Sequence, residues 1–65
     1  MKDYSSREVI KILIDDGWRE VACVGDHHQY KHPLKKGKVT ITHPKKHIPV
    51  GTLKSIERQA GIKFQ

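Results

Sequence analysis

The chain has 65 residues, a formal net charge of +6 and a single cysteine, Cys23. A chain of this length predicts one small domain over residues 1–65. One cysteine cannot form an intrachain disulfide, which argues against a disulfide-stapled secreted fold and favours a cytoplasmic protein. No apolar stretch approaches the roughly 20 residues that cross a bilayer. The basic residues do not oppose an apolar helix face, so binding to a membrane surface is also disfavoured.

The charge is unevenly distributed along the chain. Residues 1–26 carry four basic and six acidic side chains, whereas residues 27–65 carry nine basic and one acidic side chain. All five histidines lie between His27 and His47, and no Asp or Glu occurs from His27 to Ile56. A basic, histidine-rich segment predicts a polyanionic partner, most simply nucleic acid. Because histidine side chains can transfer protons, the protein could be either a nucleic-acid binder or a nuclease.

The first predicted element is a helix over about residues 6–16. Ser5 and Glu8 are spaced as in a capping box, which marks the start of a helix. Val9 and Leu13 recur at helical spacing, and Gly17 suits the left-handed residue that ends a helix.

Three strands are expected to follow, because the pattern changes to alternation rich in β-forming residues. Gly25-Asp26 predicts a tight turn between the first two strands, and Pro33 ends the second. Tyr30 is the one bulky, largely apolar side chain of the second strand, so its face is expected to lie under the helices and His27 on the accessible face. The predicted strands are 18–24, 27–32 and 38–42.

A second helix is expected after a basic loop at residues 43–47. Pro49 suits the first turn of a helix, and Gly61 suits its end. The predicted buried stripe of this helix is Val50, Leu53, Ile56 and Ala60.

The order α-β-β-β-α predicts an α+β domain in which two helices cover one face of a three-stranded antiparallel sheet. The ordered core is expected over about residues 5–62.

Histidine and lysine can together supply what metal-independent RNA cleavage requires. A base must take the 2′-hydroxyl proton, a donor must protonate the leaving oxygen, and cations must stabilise the phosphorane. His27 is well placed because Gly25 allows backbone and substrate to approach closely, although an exposed strand histidine is usually structurally neutral. His28 and His32 are expected to be partly buried and hydrogen-bonded, and His43 and His47 to contact phosphate or solvate the loop.

The lysines are candidate phosphate contacts. Lys45 and Lys46 are the stronger candidates for phosphate contacts, because they precede a helix N-terminus, which also attracts phosphate. Lysines around the 35–38 turn could equally protect a strand edge. The predicted RNA-binding residues are Gly25, Lys31, Lys35, Lys36, Lys38, Lys45, Lys46 and Lys54.

Neither a metal site nor a cofactor is predicted. No histidine or cysteine spacing resembles a zinc site, and the lysines would repel a divalent cation. Cys23 has no histidine or acid beside it in sequence, so an inert thiol is expected.

Four motifs occur in order along the chain, at residues 12–18, 25–33, 43–46 and 48–56 with Ala60-Gly61. Together they resemble the HicA toxin family over about residues 5–62. The resemblance implies a type II toxin with a double-stranded-RNA-binding-domain-like fold, acting as an mRNA interferase without the ribosome. The family's catalytic histidine falls on His27, with His28 the second candidate. A HicB-type antitoxin would cover this histidine, and operator DNA would be contacted only through the antitoxin.

The chain departs from the family pattern immediately before His27, where Asp26 replaces the usual serine. A carboxylate at this position could hydrogen-bond His27 or repel the incoming phosphate. Two alternatives to an active nuclease therefore stay open. One is a non-catalytic RNA-binding module, and the other is an attenuated toxin that only binds its antitoxin.

Overall fold

The computed structural model describes residues 2–64 and has the predicted element order α-β-β-β-α. The three strands form an antiparallel sheet in the order β1-β2-β3. Neither helix in the described part of the chain is long and apolar enough to cross a membrane. The elements are α1 (Ser6–Asp15), β1 (Arg19–Val24), β2 (His27–Lys31), β3 (Val39–Thr42) and α2 (Val50–Ala60).

The first helix begins and ends as the sequence predicts. The Ser5 hydroxyl accepts a hydrogen bond from the Glu8 N–H, and the Glu8 carboxylate accepts one from the Ser5 N–H. Gly17 follows the helix with a φ of 104°, in the region that favours glycine. A Cβ at Gly17 would lie only 2.7 Å from Nε2 of His32, so this position excludes a side chain on steric grounds as well.

The sheet is built on a tight hairpin. Residues Gly25 and Asp26 form the turn, and Val24 pairs with His27 on its far side. The register between β1 and β2 shifts between Glu20 and Ala22, which marks a bulge in β1. β3 alternates as predicted, with its two apolar residues buried and its two threonines exposed.

The core lies between the helices and the inner face of β2 and β3. Tyr30 is only 2% exposed, which confirms that its face of β2 lies under the helices. β1 is exposed along its whole length, including Val21 and Val24. The buried apolar residues are Tyr4, Val9, Leu13, Trp18, Tyr30, Val39, Ile41, Ile48, Leu53, Ile56, Ala60 and Phe64.

Two details of α2 differ from the prediction. Pro49 is the N-cap residue with extended backbone and lies just outside the first turn. Val50 is 51% exposed, so its place in the buried stripe was wrong. The physical reason is that Ile48, in the extended segment before the helix, fills the core position instead. The rest of the stripe is buried, and Gly61 ends the helix in the left-handed region.

Candidate active site and basic surface

His27 lies at the exposed start of β2, directly after the hairpin turn. Its backbone is flanked by Val24 of β1 and Thr42 of β3. The side chain is 60% exposed and, by strand alternation, lies on the sheet face opposite Tyr30. Its Nε2 is 3.5 Å from a carboxylate oxygen of Asp26. The predicted accessibility of His27 is therefore confirmed, and its imidazole can exchange protons with a ligand.

His28 faces the opposite way and is held by a carboxylate. Its Nδ1 lies 2.9 Å from Oε1 of Glu20, and its side chain is only 20% exposed. The hydrogen bond from His28 is the main reason that the pKa of Glu20 is lowered, and Tyr30 donates to the same oxygen at 3.3 Å. Because an ionised carboxylate only accepts, His28 carries a proton on Nδ1. The expectation of a partly buried, hydrogen-bonded His28 is confirmed.

Cys23 is not isolated, although nothing beside it in the sequence indicates a partner. Its Sγ lies 3.7 Å from Nε2 of His28, which the hairpin places opposite it. The thiol also donates to the carbonyl oxygen of Gly25 at 3.4 Å. Cross-strand pairing therefore brings a histidine to the thiol, and reading neighbours along the chain missed it.

His32 is a structural residue. Its Nε2 donates to the carbonyl oxygen of Asp16 at 2.7 Å. Its Nδ1 accepts from the backbone N–H groups of Leu34 and Lys35 at 3.0 and 3.1 Å. The ring also packs edge-on against Trp18. Both ring nitrogens thus form hydrogen bonds that hold the end of α1 against the segment after β2, as expected for a partly buried histidine.

His43 is fixed next to the hairpin turn by its backbone and by its ring. Its N–H donates to the carbonyl oxygen of Asp26 at 2.8 Å. Its Nδ1 lies 2.7 Å from Oγ of Ser6, and its ring packs edge-on against that of His28. Ser6 Oγ also accepts from the N–H of Lys45 at 2.9 Å and is 1% exposed. No local pattern in the sequence indicates this role of Ser6, because the contacts span 37 and 39 residues.

His47, the fifth histidine, lies exposed on the surface. Its Nδ1 is 2.6 Å from a carboxylate oxygen of Asp3, and both side chains are exposed. His47 therefore forms a surface ion pair when it is protonated.

An open groove of about 540 Å³ is lined by the start of α1 and by the loop after β3. It contains three basic side chains and a histidine, of which Arg7 was not among the predicted contacts. This clustering of positive charge suits an anionic ligand. The lining residues are Ser5, Ser6, Arg7, His43, Pro44, Lys45 and Lys46.

The predicted lysine contacts differ in their availability. The Lys35 ammonium donates to a carboxylate oxygen of Asp16 at 2.6 Å and to the carbonyl oxygen of Ala60 at 3.0 Å. This contact is the main reason that the pKa of Asp16 is lowered, and it joins the ends of the two helices. The other predicted lysines are exposed and form no ion pair with any described carboxylate. They are Lys31, Lys36, Lys38, Lys45, Lys46 and Lys54.

The described residues contain no group of three or more histidine, cysteine, aspartate or glutamate side chains arranged to hold a metal ion. The contacts that Glu20 and Cys23 make with His28 lie along the exposed strand β1.

The fold and the basic, histidine-containing end of the sheet define a small α+β domain of the double-stranded-RNA-binding-domain-like type. Comparison with family models matches residues 6–62 to the family described as HicA toxin of bacterial toxin-antitoxin. The chain therefore belongs to the HicA toxin family, which makes it a toxin of a toxin–antitoxin system with an antitoxin as partner. A search of curated proteins gave no match.

Proposed function

We propose that this toxin is an endoribonuclease, an mRNA interferase that cleaves RNA by metal-independent acid–base catalysis at His27 and so inhibits translation. The observation that carries the proposal is the position of His27. It is 60% exposed, directly follows a glycine-containing turn and, among the described residues, forms an ion-pair contact with one carboxylate, that of Asp26. An imidazole in this setting is accessible to a ribose hydroxyl and can act as the general base that takes its proton.

The proposed reaction is transesterification within the RNA strand. His27 removes the proton of the 2′-hydroxyl while O2′ forms a bond to the adjacent phosphorus. The bond from phosphorus to O5′ breaks, O5′ takes a proton from a water molecule, and the imidazolium of His27 returns its proton to the resulting hydroxide. The products are a 2′,3′-cyclic phosphate and a 5′-hydroxyl end. Basic side chains near the phosphate stabilise the charge that develops on its oxygens in the transition state.

His27 is favoured over His28 on the contacts that each makes. His28 is four-fifths buried at its side chain, and its Nδ1 is engaged by Glu20. His27 has no such anchor and lies on the open face of the sheet. His28 therefore remains the second candidate for the catalytic group.

Exposed lysines supply the proposed RNA contacts. Lys45 and Lys46 line the groove beside the turn, where they can neutralise backbone phosphates. Lys31 lies on the same face of β2 as His27. Gly25 has no side chain, so the RNA strand can approach the turn closely. Lys35 is omitted because its ammonium holds Asp16 and Ala60. The remaining proposed contacts are Lys36, Lys38 and Lys54.

The proposed partner is a HicB-type antitoxin that covers His27 and offsets the net charge of +6. Operator DNA would be bound through the antitoxin, and the proposed compartment is the cytoplasm, where mRNA is translated. No cofactor is required by the proposed reaction.

The test is cleavage of RNA by antitoxin-free protein in the presence of EDTA. Replacing His27 with Ala should reduce the cleavage rate by about 100- to 10,000-fold, the usual contribution of general acid–base catalysis. His47→Ala is the matched control, because His47 is an exposed histidine outside the groove. Circular dichroism of each variant establishes that it is folded. Undiminished cleavage by His27→Ala would refute the assignment, and loss of cleavage in His28→Ala alone would transfer the role to His28.

A second candidate function is favoured by the carboxylate of Asp26. It lies 3.5 Å from His27 Nε2 and is 61% exposed, so it opposes an incoming phosphate. Under this candidate the protein is a non-catalytic RNA-binding module or an attenuated toxin that only binds its antitoxin. Salt-sensitive RNA binding with intact RNA after long incubation would favour the former. Antitoxin binding without RNA binding or growth arrest would favour the latter.

A further inference from the structure

We propose that His43 is a substrate-binding residue. In this proposal its Nε2 donates a hydrogen bond to the RNA phosphate next to the one that is cleaved. Together with Arg7, Lys45 and Lys46 it forms a subsite for that flanking phosphodiester in the groove beside α1. The inference rests on the proposed ribonuclease function and extends the substrate contacts beyond His27.

The buried hydroxyl of Ser6 determines where His43 carries its proton. Ser6 Oγ accepts a hydrogen bond from the Lys45 N–H, so its own proton needs an acceptor. Nδ1 of His43, at 2.7 Å, is the acceptor that the described residues provide. A neutral imidazole that accepts at Nδ1 has its proton on Nε2. His43 is thereby fixed as a hydrogen-bond donor at Nε2.

Backbone contacts fix the position of His43 relative to the Gly25-Asp26 turn, which directly precedes His27. Its N–H donates to Asp26, the residue before His27, and the preceding Thr42 pairs with His27 across the sheet. The ring rests against His28, which restricts its orientation. His43 is therefore held at the same end of the sheet as His27 by contacts that are independent of RNA.

The two histidines serve different phosphates because they lie on different faces. Strand alternation directs His27 to the open face, whereas His43 contacts His28 and Ser6 on the helix side. One phosphate cannot contact side chains on both faces of a sheet. An RNA strand that passes over the hairpin turn presents successive phosphates to the two sides. The three cations of the groove then attract the phosphate that His43 orients.

A matched pair of variants separates the two nitrogens of His43. His43→Asn retains an acceptor near Nδ1 for the Ser6 hydroxyl and removes the donor from the groove. His43→Gln places an amide donor near the position of Nε2. We expect His43→Asn to raise KM for RNA by about tenfold and His43→Gln by no more than about threefold, with kcat nearly unchanged in both.

Modified oligonucleotides test the phosphate contact itself. A neutral methylphosphonate is placed in turn at each phosphate flanking the cleavage position. At one of them the wild-type KM should rise by about tenfold, and the His43→Asn variant should be nearly insensitive to the same replacement. A purely structural role for His43 would not produce this loss of sensitivity. Thermal unfolding of both variants measures any change in stability separately.

Binding to a 2′-O-methyl RNA, which lacks the attacking hydroxyl, distinguishes the two proposals. If the wild type binds this RNA but cuts no RNA, the ribonuclease proposal fails. A tenfold weaker Kd for His43→Asn would still support the phosphate subsite. If the wild type cuts RNA and His43→Asn leaves KM and Kd unchanged, the subsite is refuted while the ribonuclease function stands. Loss of antitoxin binding with unchanged RNA binding would also refute it, since the groove would then hold an acidic segment of the antitoxin.

Discussion

Replacing Gly17 with Ala tests how the end of α1 is held against the segment after β2. The φ of 104° at this residue is unfavourable for any residue with a Cβ, at a cost of about 1–2 kcal/mol. The new Cβ would also lie 2.7 Å from Nε2 of His32, and this nitrogen must move away from the carbonyl oxygen of Asp16. Losing that part-buried hydrogen bond costs a further 1–3 kcal/mol, roughly.

The expected loss of unfolding free energy for Gly17→Ala is therefore about 2–5 kcal/mol. In a domain of this size, such a loss lowers the melting temperature by about 10 °C or more. The control is Gly37→Ala, because Gly37 also has a positive φ, of 84°, but its Cβ would meet nothing within 4 Å. This variant should show only the backbone cost. Urea and thermal unfolding followed by circular dichroism measure both, and equal destabilisation of the two variants would refute the proposed role of His32.

Two further predictions concern pH and salt. Burial is the main cause that raises the pKa of Tyr30 to about 12, so between pH 10 and 12 the unfolded chain loses this proton while the folded chain keeps it. The free energy of unfolding should fall by up to about 3 kcal/mol across that window. In the Tyr30→Phe variant, urea unfolding should show a decline that lacks this contribution. Replacing both Lys45 and Lys46 with Ala should weaken RNA binding and reduce the slope of log Kd against log salt by about 1.4, whereas Lys11→Ala, outside the groove, should leave the slope unchanged. An unchanged slope in the double variant would argue against phosphate contacts by these lysines.

Most of the fold could be predicted because its signals are local. The capping box at Ser5 and Glu8, the turn at Gly25 and the stop at Gly61 each act within a few residues. Tyr30 identified the buried face because alternation leaves a strand only two faces. The prediction that Val50 is buried was wrong, because helical spacing does not reveal that Ile48, before the helix, takes the core position.

The candidate site was only partly predictable. The accessibility of His27 follows from strand alternation and the turn, whereas the contacts of His43 depend on how two distant segments pack. Ser6 reads as an ordinary first-turn residue, yet it is buried against a loop 37 residues away. Lys35 looked like an exposed turn lysine, but it donates to the end of each helix. Hydrogen bonds between distant segments leave no periodic pattern in a sequence.

The link from Ser6 to His43 and Lys45 has a consequence for the growing polypeptide. A nascent chain that ends at Thr42 already contains α1, the hairpin and His27, but it lacks the groove loop. The backbone bond from His43 to Asp26 and the hydroxyl contacts of Ser6 form only after the loop has emerged from the ribosome. The proposed RNA subsite thus depends on two segments that are far apart in the sequence, and it is complete only once the loop has folded back onto α1.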